Sequence, residues 1–451
     1  MENNRGQWGS RFGFILATAG SAVGLANIWA FPFRTGQNGG AVFVLIYLIC
    51  IFTICLPFMF AELALGRHNQ KNVYGAIFAI KPGSSWLTLS VLCILASLFI
   101  LSFYAVVAGW GVGFVFKTFV KNTTPFPVFA ANPSLSISLF FSFLILTMII
   151  VFRGVQNGIE RWSKILMPTL IVLMLGLVIY GLTLPGAGKG LAFFLKPDFS
   201  KVTGKTVMRA MGQAFFSLSL GIGGILTYGS YLSKKENIVR SSLYVVFLDT
   251  AIALLAGLMI FPALFSFGQQ PHEGPALVFI VLPEIFKQLP LGNVLGAAFF
   301  IMLTIAALTS TVSMLEVSVA YFVDEKQLPR KKITWLIGAV VLVIGLPSAL
   351  SQGAVPALSK LGFFGGKSFL EFMIFLWFDI FPPLGAVLFC LFFSNIWGIE
   401  NAAKEIEQGN PAFAQKLPGL PFTQAQIWGV FIRYICPIAI LVIWFQAIFN
   451  Q

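Results

Sequence analysis

The stretch Ala19-Gly20-Ser21-Ala22-Val23-Gly24-Leu25-Ala26-Asn27 lies inside an apolar segment that runs from residue 11 to residue 37. This segment is long enough to cross a bilayer, which takes about 20 apolar residues in a helix. Glycine weakens a helix, and in hydrocarbon every backbone N–H or C=O that a broken helix frees must find another partner. The small residues, followed by Pro32, therefore predict a helix that opens around a ligand or packs closely on a neighbour.

A second cluster of small residues interrupts another apolar segment about half a chain later. It reads Ser217-Leu218-Ser219-Leu220-Gly221-Ile222-Gly223-Gly224. Many secondary transporters are built from two repeats, each of which contributes one broken helix to a site at the middle of the membrane. The two clusters together predict such a site between them.

The composition is that of a membrane protein. Of the 451 residues, 58% are hydrophobic and only 10% are charged, and the mean hydropathy is +0.89. Apolar runs of about membrane-spanning length predict eleven helices, at approximately 11–37, 40–66, 85–116, 134–152, 162–183, 208–232, 241–267, 290–323, 333–350, 368–397 and 424–448. The net charge of +13 is spread over short loops, which predicts contact with the lipid bilayer and no nucleic-acid partner.

The distribution of Lys and Arg predicts the orientation in the membrane. The loops on the N-terminal side carry more of these residues than the opposite loops, and such loops are normally cytoplasmic. We therefore expect a multi-pass protein of the cell (inner) membrane with a cytoplasmic N-terminus.

The spacing of the two interrupted segments predicts internal repeats in a single transporter domain, residues 1–451. Residues 11–183 and 208–397 each hold five predicted helices and each begin with the interrupted one. Because five is odd, the second repeat must cross the membrane in the opposite sense, as in an inverted repeat. The eleventh helix, 424–448, lies outside the repeats.

Helix 8 of this prediction carries a cluster of hydroxyls. Thr309 and Ser313 share a helix face because they lie four residues apart, and Ser310 lies beside them. Such oxygens suit a cation that takes hard ligands. The alternative is that each hydroxyl bonds a carbonyl of its own helix or joins neighbouring helices. For the cluster as a whole we favour an ion site.

Carboxylates within a membrane span are costly and need a physical reason. Asp249 has no Lys or Arg in its own span, which favours a bound cation, with a protonated, hydrogen-bonded Asp as the alternative. Glu62, at the end of the second predicted helix, has an equally good structural interpretation, in which it bonds the freed N–H groups of a broken helix.

Seven motifs occur together over nearly the whole chain. They are Arg5-Gly-Gln-Trp8, Gly20-Ser-Ala-Val-Gly24-Leu-Ala-Asn27-Ile-Trp-Ala-Phe-Pro32, Asn38-Gly39-Gly40, Glu62-Leu-Ala-Leu-Gly66-Arg67, Phe215-Phe-Ser-Leu-Ser-Leu-Gly221, Thr227-Tyr228 and Ala306-Ala-Leu-Thr309-Ser310. In combination they resemble the bacterial branch of the neurotransmitter:sodium symporter family. The resemblance implies an all-α polytopic membrane protein of the leucine-transporter type, a 5+5 inverted repeat with broken helices 1 and 6 and eleven transmembrane helices.

The resemblance also implies the ligands of two sodium ions. Oxygens at the first sodium site match Ala22, Asn27, Ser217 and Asp249. Those at the second match Gly20, Val23, Ala306, Thr309 and Ser310. The fixed negative charge of Asp249 could replace the chloride that animal relatives need, so no chloride requirement is expected.

Substrate and gate residues follow from the same resemblance. Substrate contacts match Ala22, Gly24, Leu25, Ala26, Ile100, Tyr104, Phe216, Ser219, Ile222, Ser310, Ser313 and Met314. An aromatic outer gate matches Tyr104 and Phe216, and an inner latch matches Arg5, Trp8, Ser230, Tyr231 and Asp324. Gly24 stands where monoamine carriers have an Asp, so a substrate that brings its own carboxylate fits better.

The sequence departs from the family pattern at the outer charge gate. Ala30 replaces the usual Arg, and Ile374 stands at about the position of the usual Asp. Arg34, Glu371 or Asp379 could substitute for them, or the aromatic layer could serve alone. Ala26 replaces a usual Gly and adds a methyl group near the expected carboxylate site.

The predicted function is sodium-coupled symport of a neutral, hydrophobic amino acid into the cell by alternating access. An atypical small zwitterion, such as a beta-amino acid or a taurine-like sulfonate, is the alternative substrate. A channel would need a continuous polar stripe along a pore, and a non-transporting sensor would keep the same sites. No nucleophile has a base near it in the sequence, which argues against an enzyme.

Overall fold

The computed structural model describes residues 6–120, 124–269 and 277–449; Arg5 of the predicted inner latch lies outside them. Within these ranges the structure is helical and contains no strand, only an isolated bridge between Lys416 and Thr423. The main helices are α1 (Arg11–Ala22), α2 (Ala26–Gln37), α3 (Ala41–Asn69), α4 (Leu87–Phe119), α5 (Pro133–Phe152), α6 (Val155–Leu182), α7 (Gly204–Ser217), α8 (Gly224–Gly229), α9 (Ile238–Ser266), α10 (Gly292–Lys326), α11 (Arg330–Leu350), α12 (Phe369–Trp397), α13 (Ile399–Glu407) and α14 (Gln424–Phe449). Short helices at Val73–Ile80, Phe126–Ala131, Ala187–Leu195 and Leu282–Gln288 connect them.

The membrane-spanning helices match the predicted runs closely. In the described part of the chain, nine helices are long and apolar enough to cross a membrane, and the bent pair α1 and α2 makes ten. The remaining predicted span, 208–232, corresponds to α7 and α8, which have 14 and 6 residues and are each too short to span alone. The count of eleven is consistent with this arrangement and stays a prediction.

The first break lies where the small-residue motif predicts it. Helix α1 ends at Ala22, Val23 is extended with ψ of 115°, and α2 leaves at an angle of 55° to α1. The side chain of Asn27 caps the break, since its Oδ1 accepts a hydrogen bond from the Gly24 N–H at 3.1 Å. A Cβ at Gly24 would lie 2.5 Å from the hydroxyl oxygen of Tyr104. Glycine is required here because the neighbouring helices approach so closely.

The second break, between α7 and α8, needs left-handed backbone. Ser219, Gly221 and Gly223 have φ angles of 52°, 81° and 79°, a region that glycine enters without steric cost. Glu62 of α3 accepts the freed N–H of Gly221 at 3.0 Å. Glu62 therefore makes the contact that its structural interpretation predicts, a hydrogen bond with a freed N–H of a broken helix.

The two broken helices lie at the centre of the bundle. Helices α4 and α10 pack against each other along much of their length, α1 contacts α6, α9 and α10, and α8 packs on α3. The breaks are thereby surrounded by buried residues from α3, α4, α9 and α10. This position gathers the polar side chains discussed next.

Candidate ion and substrate site

Asp249 of α9 lies in a fully buried polar cluster at the two breaks. Its Oδ1 accepts from the Asn27 amide at 2.8 Å, and its Oδ2 accepts from the Ser217 hydroxyl at 2.8 Å. The same amide nitrogen of Asn27 donates to Ser217 Oγ at 2.9 Å. No Lys, Arg or His nitrogen among the described residues lies within 4.0 Å of the Asp249 carboxylate. The cluster thus joins α2, α7 and α9 around a carboxylate without a basic partner.

Tyr47 of α3 is a member of this cluster that the sequence reasoning missed. Its hydroxyl donates to Ser217 Oγ at 3.2 Å, and its ring packs against Phe31 with centroids 4.9 Å apart. Ser217 consequently accepts two hydrogen bonds and donates one, which saturates its hydroxyl. Ala22, the fourth residue predicted for this site, is the last residue of α1, where carbonyls lack intrahelical donors.

The five residues predicted for the second ion site also converge. Ser310 of α10 donates its hydroxyl hydrogen to the Val23 carbonyl at 2.9 Å across the first break. Thr309 Oγ1 donates to the Ala306 carbonyl at 3.0 Å. Gly20 faces Thr309 so closely that a Cβ on Gly20 would lie 3.0 Å from the Thr309 Cβ.

The observed contacts of the α10 hydroxyls are those of the alternative interpretation, and the ion site stays a prediction. Thr309 bonds carbonyls of its own helix, whereas Ser310 bonds across to α1. A hydroxyl that donates one hydrogen bond keeps lone pairs that can accept a cation. The geometry is compatible with a site for a hard cation between α1 and α10.

A chain of serine hydroxyls connects the two breaks with α10. Ser219 donates to the Ser21 carbonyl at 3.0 Å, and Ser21 donates to Ser313 Oγ at 2.7 Å. Ser313 in turn donates to the Ser310 carbonyl at 2.8 Å. Ser21 is a second residue that the sequence reasoning did not assign; its position within the small-residue motif was the available signal.

Two of the predicted substrate residues lie against Gly24, where a Cβ would be 2.5 Å from the Tyr104 hydroxyl oxygen and 2.6 Å from Ser310 Oγ. Tyr104 of α4 accepts a hydrogen bond from the Leu25 N–H at 2.8 Å, and the Ala26 carbonyl accepts from Gln213 Nε2 at 3.0 Å. Three predicted wall residues are buried in the same apolar core: Ile100, Ile222 and Met314. Tyr104 thus contacts the backbone of the first break, and the three apolar residues are buried in the same bundle.

Phe216 lies at the outer edge of this region, in the wall of a cavity of about 380 Å³. Its ring stacks on Phe378 of α12 with centroids 4.7 Å apart, and the Arg34 guanidinium carbon lies 5.7 Å from the ring centre. Arg34, Glu371 and Asp379 line the same cavity. All three side chains that the sequence offered as replacements for the outer charge gate are thus gathered beside Phe216.

The predicted inner latch is built around Trp8, which precedes α1. Trp8 donates its indole N–H to the Tyr228 carbonyl at 3.0 Å and its backbone N–H to the Tyr231 carbonyl at 3.3 Å. The Tyr231 hydroxyl donates to Glu316 at 2.6 Å, and Glu316 pairs with Arg330. Ser230 donates to the Thr227 carbonyl, and Asp324 accepts from the amide of Asn72.

A charge cluster on the same side of the molecule was not anticipated. The buried Arg67 of α3 donates to Glu405 of α13 at 2.7 Å, and Lys234 and His68 lie 3.0 Å from the same carboxylate. Burial acts to raise the pKa of Glu405, but hydrogen bonds from His68, Lys234 and Arg67 outweigh it and hold the pKa below its ordinary value. The cluster ties α13 to α3 and to the loop after α8.

The chain is similar to known proteins over nearly its whole length. The sequence profile of the Sodium:neurotransmitter symporter family matches residues 5–127 and 130–408. The uncharacterized sodium-dependent transporter YhdH of Bacillus subtilis is 38% identical, over 98% of this chain and 97% of that protein. The sodium-dependent serotonin transporter of Drosophila melanogaster is 26% identical, over 100% of this chain and 77% of that protein.

A solved structure gives the corresponding comparison in three dimensions. The crystal structure of MhsT in complex with L-phenylalanine shares 41% sequence identity with this chain, with a TM-score of 0.87 over 98% of this chain and 100% of MhsT. This match confirms the predicted leucine-transporter-type fold. The family consists of sodium-dependent transporters, which confirms that the protein is not an enzyme. The chain is thus a bacterial-type member of the sodium:neurotransmitter symporter family.

Proposed function

We propose that this protein carries a neutral, hydrophobic amino acid into the cell together with two sodium ions. The observation that supports this most directly is the convergence of two groups of oxygens on the first helix break. One group holds Asn27, Ser217 and Asp249, and the other holds Val23, Thr309 and Ser310. A pair of broken helices with oxygen ligands on either side is the arrangement that sodium-coupled transporters use.

The first sodium ion would bind beside Asp249. This carboxylate is buried and lacks a basic partner among the described residues, and an uncompensated charge inside a membrane protein is costly. A cation at Asp249, Asn27 and Ser217 would balance the charge, with the Ser217 oxygen exchanging one of its two accepted hydrogen bonds for the cation. Because the protein itself supplies the negative charge, transport would need no chloride.

The second sodium ion would bind between α1 and α10. Its ligands would be carbonyls of Gly20, Val23 and Ala306 and the hydroxyls of Thr309 and Ser310. This ion would add ligand bonds between α1 and α10 to the hydrogen bond from Ser310 to the Val23 carbonyl. Release of sodium to the cytoplasm would remove those bonds, loosen α1 and favour the inward-open state.

The substrate would place its carboxylate at the first break. The site has Gly24 where an acidic side chain would repel a carboxylate, and the N–H of Leu25 already bonds a hydroxyl there. The walls are apolar at Ile100, Ile222 and Met314. The solved structure of MhsT, at 41% identity, holds L-phenylalanine, which supports a neutral amino acid as the substrate class.

A second candidate substrate is a small zwitterion such as a beta-amino acid or taurine. Two observations favour it: Ala26 adds a methyl group beside the break, and Ser21, Ser219 and Ser313 place hydroxyls close to the breaks. Added bulk at the carboxylate end and added polarity at the wall would both suit a substrate other than a large α-amino acid.

Alternating access would move the two repeats, residues 11–183 and 208–397, relative to each other. Phe216 with Arg34 would close the outer side, and Trp8 with Tyr231 would close the inner side. The N-terminus would lie in the cytoplasm, with the protein in the inner membrane. The repeats rock because ions and substrate bind the two states with different affinities.

Uptake by the purified protein in lipid vesicles tests the proposal. Radiolabelled amino acids, a beta-amino acid and taurine would be offered under an inward sodium gradient, with potassium replacing sodium as the control. Sodium-driven uptake of a neutral amino acid that persists in gluconate instead of chloride is expected. Binding without uptake would indicate a sensor, uptake of taurine alone would favour the second substrate class, and ion current without substrate would indicate a channel.

A further inference from the structure

The surface of α14 carries a groove beside the start of α13, on the side of the molecule where α1 begins. A series of contacts places the start of α1 and helix α13 on the same side. Arg11 of α1 pairs with Glu236, and the Glu236 carbonyl accepts from Arg67. Arg67 in turn pairs with Glu405 of α13. The groove has a volume of about 750 Å³ and lies between residues 398–401 and residues 422–434. Its floor is a close helix contact, since a Cβ at Gly429 would lie 2.7 Å from Ile399 Cγ2.

Arg433 lines this groove from within a membrane-spanning helix. It lies nine residues after Gln424 in a helix of 26 residues, which places its Cα about 13 Å along a helix about 39 Å long. The hydrocarbon core is about 30 Å thick, so the Cα lies below the headgroup level and the side chain can reach the interface. Arg433 is exposed, and among the described residues its guanidinium donates one hydrogen bond, to the Ser394 carbonyl at 3.4 Å.

The charge of Arg433 has no protein counter-ion in the described part of the chain. No carboxylate lies within 4.0 Å of its guanidinium. An arginine within a span is costly unless a partner compensates its charge. Exposed apolar side chains, Phe422, Val430 and Tyr434, flank the groove, and they suit acyl chains rather than water.

Glu400 supplies the opposite charge in the same groove. It lies at the start of α13, is exposed and has no Lys, Arg or His nitrogen within 4.0 Å in the described ranges. The groove thus presents one cation and one anion that do not pair with each other, with the amides of Asn401 and Gln426 beside them. A ligand with separated charges of both signs would satisfy this arrangement.

We propose that the groove binds a phospholipid whose headgroup combines a phosphate with a primary ammonium, as in phosphatidylethanolamine. The guanidinium of Arg433 would bind the phosphate, for which its planar fork of donors is suited. The carboxylate of Glu400 would accept from the ammonium. Because the two protein charges cancel, an anionic lipid lacks the second partner, and a choline lipid lacks the N–H donors that Glu400 needs.

Lipid retention by the full-length protein, measured by native mass spectrometry, tests this inference. The protein in detergent would be titrated with phosphatidylethanolamine, phosphatidylglycerol or phosphatidylcholine of identical acyl chains. We expect preferential retention of phosphatidylethanolamine, by about fivefold or more over the other two. Equal retention of all three, or a preference for phosphatidylglycerol, would overturn the proposal.

Two variants assign the headgroup contacts. Arg433→Gln should lower retention of phosphatidylethanolamine by about tenfold, and Glu400→Gln should abolish the preference over phosphatidylcholine. The matched control is Lys331→Gln, which removes a basic residue that lies over the Phe152 ring, away from the groove. Unchanged retention in Arg433→Gln, or an equal loss in Lys331→Gln, would contradict the assignment.

A photoactivatable phosphatidylethanolamine tests the position without any variant. Cross-links in the wild-type protein should map to residues 398–401 or 422–434. Cross-links confined to other helices would refute the site. If delipidated protein instead forms a dimer, and a chemical cross-linker joins the two copies at residues 398–401 or 422–434, a second copy of the chain is the occupant and the proposal fails.

Discussion

The Arg34 guanidinium carbon lies 5.7 Å from the centre of the Phe216 ring. This contact joins α2 to α7 at the outer edge of the central site, one helical turn beyond Ala30, where relatives usually carry the gate arginine. Asp379 of α12 lines the same cavity, five residues after Ile374. If Arg34 and Asp379 take the place of the usual charged pair, the predicted outer gate would combine a cation with an aromatic ring.

Replacement of Arg34 tests this gate. Arg34→Ala should speed the release of bound substrate to the outside by about 2- to 30-fold, because a cation–π contact contributes about 0.5–2 kcal/mol. Substrate dissociation from the detergent-purified protein would be measured with a radiolabelled ligand. Lys205→Ala, which removes a cation from the same cavity wall, is the control, and an equal acceleration in both variants would show that net charge alone matters.

The pair Thr309 and Thr311 offers a matched test of the second sodium site. Both are buried on α10, but Thr309 faces Gly20, whereas Thr311 lies 2.9 Å from the Thr147 hydroxyl. Thr309→Ala should weaken sodium activation of uptake by about 10- to 100-fold, since a hydrogen-bonding group on a charge contributes about 1.5–3 kcal/mol. Thr309→Ser should retain activation. A similar loss in Thr311→Ala would point to general damage to α10 instead of an ion ligand.

Asp249→Asn should change the ion requirement of the protein. Removal of the negative charge should raise the sodium concentration for half-maximal stabilisation by about tenfold or more, and chloride should now restore part of the effect. Thermal stability would be measured against sodium concentration in chloride and in gluconate. Asp198→Asn removes an exposed carboxylate as the control. An unchanged sodium response in Asp249→Asn would remove this residue from the site.

Gly24→Ala should abolish transport even though it adds only one methyl group. The new Cβ would lie 2.5 Å from the Tyr104 hydroxyl oxygen and 2.6 Å from Ser310 Oγ, so at least one of these side chains must leave its place. Substrate binding should weaken by about tenfold or more. Gly176→Ala in α6, where a Cβ meets nothing within 4 Å, should leave both uptake and binding unchanged.

Glu405 should contribute to stability above acidic pH. Glu405→Ala leaves Arg67 buried without its partner and should lower the free energy of unfolding by about 3–5 kcal/mol. Because the pKa of Glu405 is lower in the folded protein than its ordinary value of 4.5, the folded state favours the ionised form. This stabilisation is present above about pH 4.5 and is lost progressively as the pH falls.

Thermal unfolding of wild type and Glu405→Gln between pH 7 and pH 3 measures this contribution. The difference in unfolding temperature between wild type and Glu405→Gln should become smaller as the pH falls. Glu407→Gln, on the same helix, should show no such convergence. A constant difference across the pH range would mean that Glu405 acts through packing alone.

The fold and the central residues could be predicted because membrane spans and helix breaks leave local signals. Gly20 and Gly24 are needed within one turn of the first break, and Thr309 and Ser310 lie in one short motif. Other residues could not be found in this way. Tyr47 reaches Ser217 across 170 residues, and an isolated Tyr in an apolar helix carries no local sign of that contact.

The charge clusters outside the central site are equally hard to predict. Glu405 binds Arg67 from a helix 338 residues later in the chain, and pairing at that separation depends on tertiary packing. The sequence offers Arg34 for the outer charge gate only beside Glu371, Asp379 and the aromatic layer alone. The contact of Arg34 with Phe216 depends on the direction in which α2 leaves the first break, which sequence periodicity does not determine.

Helix α1 is tied at both ends to the segment that holds the second break and α8. Trp8, just before α1, bonds the Tyr228 carbonyl in α8, and the carbonyl of Ser21, near the end of α1, accepts from Ser219 in the second break. A shift of α1 would therefore act on the second break and on α8 together, so a ligand that changed the position of Ser21 would also act on the contact of Trp8 with Tyr228.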